Sequence, residues 1–149
     1  MTSLYEEIIK ILKEEEVLLT SLYQIVSEER DAIIGLKSSE LEKVLLKKEE
    51  TLMKLSLWEV EREKTIERNN LKGITLNELI SYFEEQDKSR DISELKGLFD
   101  KMKTLLSSIR EIQKINEQLI DRSLIHLGTA LKFLENFGIK PKQSLSREA

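Results

Sequence analysis

Few side chains in this chain are of the kinds that do covalent or acid-base chemistry, and their spacing argues against an active site. His126 is the only histidine and there is no cysteine, which removes histidine metal clusters, thiolate catalysis and disulfides together. No carboxylate-x-x-His spacing precedes His126 to build a di-iron bundle site, so it reads as a buried side chain at the flank of a helical seam. Glu14-Glu15-Glu16 and Glu49-Glu50 pair carboxylates, but on helices this charged they read as solvated faces or alignment positions. The five glycines are isolated, so no phosphate-cradling loop exists. Neither an enzyme nor a resident cofactor or metal is expected.

What does recur is charge and amide inside apolar columns, which is the chemistry of alignment. Leu4, Ile8, Ile11, Glu15, Leu18, Leu22, Ile25, Glu29, Ala32 and Leu36 form a coiled-coil-like seam, with Tyr5, Ile9, Leu12, Leu19, Tyr23, Val26 and Ile33 beside it. A face this broad should touch more than one helix. The next segment has columns of Leu41, Lys48, Leu55 and Arg62 and of Leu45, Leu52, Glu59 and Ile66, flanked by Val44 and Trp58. A short Lys37-Ser38-Ser39 turn after Gly35 makes the two segments antiparallel neighbours. Glu29 then meets Lys48 and Glu15 meets Arg62 at one common residue sum of 77, which fixes the register.

The positioning elements follow from caps and periodicity. The first helix starts at Thr2 or Ser3, with Glu6 completing a capping box, and the second runs from about Glu40 to Asn69 behind Ser39 and Glu42. Thr75 and Glu78 cap a short third helix with the stripe Leu76, Leu79, Ile80 and Phe83, and a polar loop follows from Glu84 to Arg90. Asp91 and Glu94 cap a final helix that ends near Gly138, with Pro141 beyond. This last element spans Ile92 to Phe137, roughly 70 Å at about 1.5 Å per residue, and organises the rest. Gln113 and Asn116 interrupt its seam as a polar alignment layer. Past Ile112 its outer column turns from Lys96, Lys103, Arg110 and Glu117 to Leu124 and Leu131, with Ile125 beside them, so more of its circumference is apolar than one neighbour requires.

The fold class is therefore all-α: an antiparallel bundle of three long helices with a short fourth helix between the second and third long ones, in coiled-coil-like packing. Residues 1–138 form the bundle domain and residues 139–149 a disordered tail. In 149 residues, 40% hydrophobic, 35% charged and 5% aromatic, the composition is that of long amphipathic helices. A net charge of -4 with interleaved signs excludes a nucleic-acid stripe. No apolar run approaches the roughly 20 residues of a membrane span, and the N-terminus lacks a basic leader. A cytoplasmic protein is expected.

Two runs resemble the FlgN family of flagellar type III export chaperones. One is KEETLMKLSLWEVER, with Lys48, Leu52, Leu55, Glu59 and Arg62; the other is INEQLIDRSLIHLGTALKFL, where Asn116 leads into Leu119, Ile120, Ser123, Leu124, Leu127 and Leu131. The resemblance covers roughly residues 4 to 137. It implies a protein that binds the C-terminal segments of hook-filament junction proteins, keeps them from assembling early and hands them to the export gate. It places binding in the C-terminal region, here Ile120, Leu124, Leu127, Leu131 and Leu134. Members often carry a tail aromatic that engages the gate, and this tail has none after Phe137. The competing expectation is a structural homo-oligomer paired through the last helix.

Overall fold

The computed structural model describes residues 3–89 and 91–138. Four helices follow one another: α1 (Leu4–Ile34), α2 (Ser38–Arg68), α3 (Leu76–Gln86) and α4 (Ser93–Asn136). No strand occurs among the described residues. The expected disordered tail, 139–149, and the expected start at Thr2 lie outside the described residues.

The caps show why the helices begin and end where they do. Ser3 accepts from the Glu6 amide at the start of α1, and Thr75 accepts from the Glu78 amide at the start of α3. α1 ends in a Schellman turn, with the Leu36 amide donating to the Ile33 carbonyl and the Lys37 amide to the Ala32 carbonyl. The left-handed position falls on Leu36, φ 53°, one residue after Gly35. That turn runs straight into α2 at Ser38, so the capping box expected from Ser39 and Glu42 does not form; Lys37 occupies the cap without a side-chain bond. Asn70 takes the same left-handed role after α2, as its residue type suggests.

Two further boundaries differ from the sequence reading. α3 continues through Glu84 and Glu85 to Gln86, because no breaker interrupts it before Asp87. At the start of α4 the Asp91 carboxylate accepts from the Ser93 amide at 2.9 Å, which holds its pKa below the ordinary carboxylate value, while Ile92 takes the cap position. Glu94 does not fold back on the cap, pairing instead with Lys13 at 2.7 Å.

The long helices alternate in direction. Glu15 pairs with Arg62 and Glu29 with Lys48, so α2 runs against α1. Lys13 meets Glu94, Glu16 meets Lys101, and the Val26 carbonyl meets Asn116, so both numbers rise together and α4 runs parallel to α1. α1, and not the last helix expected to organise the rest, is the central helix. It packs along both α2 and α4, as its two-sided apolar face requires, and twelve of its residues are buried. α2 is a cover with only Val44, Thr65 and Ile66 buried.

The main core lies at the lower end, where α3 closes the bundle. Ile8, Leu12, Leu79, Phe83 and Leu95 are buried together, with the Tyr5 ring edge-on to Phe83 at 5.2 Å. Burying side chains of this size contributes about 1.5–3 kcal/mol each, which is how an 11-residue helix with one apolar stripe is held. A smaller cluster of Leu22, Val26 and Ile112 continues upward.

Candidate partner-binding surface

The upper part of α4 is built on a polar anchor. The Asn116 side chain is fully buried and donates to the Val26 carbonyl at 3.0 Å and to Glu29 Oε1 at 2.6 Å. Lys48 donates to both Glu29 oxygens, at 3.0 and 3.3 Å, and to the Gln113 side-chain oxygen. Three helices are thereby tied at one level, and the carboxylate of Glu29, 3% exposed, has its charge and its lone pairs answered. Fourteen residues below on α1, Arg62 donates to Glu15 Oε2. There, burial pushes the Glu15 carboxyl above its ordinary value; Arg62 pulls it down and the charge of Glu59 adds to the rise.

Beyond Asn116 no residue of α4 is buried. Ile120, Ser123 and Leu124 still face the α1–α2 turn, where Ala32, Ile33, Leu36 and Leu41 complete a cavity of about 260 Å³. Leu36 is 83% exposed there and holds a left-handed conformation that glycine adopts more easily. After Leu124 the helix outruns the bundle. It continues unbroken through Gly128 to Asn136, and Gly138, φ 77°, turns the chain at its end.

Of the five positions expected to bind a partner, Leu124 is 62% exposed and Leu127 57%; Ile120 and Leu134 are also exposed and Leu131 is half-buried. They share one apolar side of α4, with Ile120 and Leu124 against the bundle's end and the others past it. The structure adds residues that the leucine columns did not single out. The rings of Phe133 and Phe137 pack against each other, tilted by 42° with centroids 4.8 Å apart, and are exposed, and Phe133 with Ile125, Thr129, Ala130 and Leu134 lines a concave patch of about 550 Å³. A signal was present in the heptad spacing, since Phe133 follows His126 and Phe137 follows Ala130 by seven residues along the apolar side of the helix. His126 also lines this patch and is exposed, which corrects its expected burial: among the described residues the seam it flanks has no second helix at that height.

The surface is suited to binding rather than to chemistry. Among the described residues no group of three or more histidine, cysteine or acidic side chains is placed to hold a metal, and no helix is long and apolar enough to cross a membrane. No curated protein and no solved structure matches the chain. The family model described as FlgN protein matches residues 1–136, all four helices included. With its full bundle and projecting last helix inside that match, the chain belongs to the FlgN family, a family of flagellar export chaperones rather than of enzymes.

Proposed function

We propose that this protein is a cytoplasmic chaperone that binds the C-terminal helical segments of hook-filament junction proteins, prevents their premature assembly and delivers them to the flagellar export gate. The observation that carries the reading is the unburied apolar side of α4 after Asn116, on a helix of 44 residues beside two of 31. A contiguous exposed apolar surface on a projecting helix costs solubility unless a partner covers it. A junction protein's terminal segment, amphipathic and unpaired before assembly, docks its apolar face on Ile120, Leu124, Leu127, Leu131 and Leu134. Phe133 and Phe137 extend the same contact.

Binding here also orders the client segment. That ordering costs roughly 2–5 kcal/mol of the gross interaction, which keeps the complex releasable at the gate. The decisive experiment is calorimetric titration of the chain with the C-terminal segment of a junction protein from the same organism. The expected outcome is saturable 1:1 binding, abolished by Leu124→Asp combined with Leu131→Asp while circular dichroism stays helical. Loss of helicity in that variant would instead assign the two leucines to the fold, and absence of binding by the folded chain would remove the client assignment.

A further inference from the structure

A second unfilled space lies lower down, between α2 and α4. Both helices pack along α1 but not in the same way along each other, and the furrow between them holds about 800 Å³. Leu52 and Leu55 wall it on one side, Phe99 and Leu106 on the other; Leu52 and Leu106 are exposed. The Lys48–Gln113 bond closes its upper end. At its lower end Leu76, in the first turn of α3, lines it. Between Lys48 and Arg62 the furrow is about 20 Å long at about 1.5 Å per residue, which is three to four helical turns.

α3 shows what fits there. It is an amphipathic helix whose Leu79, Ile80 and Phe83 are buried in the core that continues below the furrow, and it leaves the space above Leu76 unfilled. A helix of about 14 residues laid end to end with α3 would complete the bundle at this height.

The furrow also states which chemistry that helix carries. Glu15 lies on its floor, 5% exposed, and its Oε1 has no hydrogen-bond partner, because Arg62 engages the other oxygen. Glu59 stands on the α2 rim, so on the α1–α2 side of the furrow two carboxylates are set against one guanidinium. On the α4 rim, Lys103 and Arg110 take part in none of the ion pairs among the described residues.

We propose that the α2–α4 furrow is a second docking site, for a partner's amphipathic helix that carries a lysine or arginine within its apolar stripe and acidic residues along one edge. The cation lies between Glu59 on the rim and the Glu15 carboxylate on the floor; the acidic edge lies along Lys103 and Arg110. This site is independent of the client contact on the upper part of α4.

The test uses two synthetic peptides of about 14 residues with the same leucine stripe and acidic edge, one with lysine at the centre of the stripe and one with leucine. Titrated into the full chain, the lysine peptide is expected to bind 1:1 and roughly tenfold more tightly than the leucine peptide, a difference of about 1.4 kcal/mol. Leu106→Asp should remove that binding, and Glu59→Gln, at an exposed position, should shrink the lysine preference while circular dichroism stays helical. The Leu124→Asp, Leu131→Asp variant should bind the lysine peptide unchanged, which separates this site from the client surface. Failure of the lysine peptide to bind, equal binding of both peptides, or binding that survives Leu106→Asp overturns the proposal. So does a dimer of the chain alone that Leu106→Asp dissociates, since a second copy would then own the furrow.

Discussion

The two ends of α4 obey the same heptad rule and have opposite fates. Leu95 and Met102 near its start are buried among Leu12, Leu79 and Phe83, whereas Leu127 and Leu134, in register with the same seam, face solvent. The helix itself does not change character; its neighbours stop. α1 and α2 meet in the turn at Gly35–Lys37, opposite Ile120 and Leu124, and among the described residues no helix lies beyond to cover the rest. The comparison teaches that an apolar stripe measures a demand for a partner, and that only the length of the adjacent helices decides whether the partner is internal.

The largest expected difference between the two ends is in stability. Phe83→Ala should cost about 3–5 kcal/mol in urea unfolding, because the ring is fully buried, while Leu127→Ala should cost less than about 0.5 kcal/mol. A large loss from Leu127→Ala would mean that α4 is covered over its whole length in solution. Next comes the polar tie that divides the ends. Lys48→Ala leaves Glu29 buried beside Asn116 without its cation and should cost roughly 3–5 kcal/mol. Replacing Glu29, Lys48 and Asn116 together by leucine should recover most of that loss, as read by the same urea unfolding, because the buried amide goes with the charges it answers.

A pH series sharpens the comparison of the two charged levels. The folded Glu15 carboxyl titrates above its ordinary value of 4.5, so between those two values the folded chain binds a proton that the unfolded chain does not. The stability of the natural chain relative to Glu15→Gln should therefore rise as pH falls through the folded value and level off below about 4.5. A flat difference would mean that Arg62 balances burial, and a difference that falls as pH falls would mean that Arg62 outweighs it. The smallest effect is expected at the junction of the two regions. Leu36→Gly relieves a left-handed residue but loosens the unfolded chain, for a net gain of no more than about 1 kcal/mol in the melting curve. If Leu36 belongs to the client surface, the same change should weaken client binding while it stabilises the fold.

Much of this was legible in the residues. Glu15, Glu29, Lys48 and Arg62 stand 14 apart in facing seams, and the two pairs at residue sum 77 are the pairs the structure brings together. Ser3, Thr75 and Asn70 name their caps because short polar side chains and left-handed tolerance act locally. The Ser39–Glu42 box looked as good as the Thr75–Glu78 box and does not form, since a neighbouring turn claimed the backbone first. His126 was misplaced for a longer-range reason: periodicity tells which side of a helix a residue shares, and not whether anything stands opposite.

The sequence by itself determined four helices, their alternation and the charged pairs that align the first two, because periodicity, capping and short turns act over a few residues. Tertiary structure alone decided that α1 is the central helix, that α2 is a cover, that α4 outruns both, and that a furrow with an unanswered Glu15 oxygen opens between α2 and α4. Those outcomes depend on which of several equally apolar faces meet, and burial is a property of the pair of surfaces rather than of either stripe.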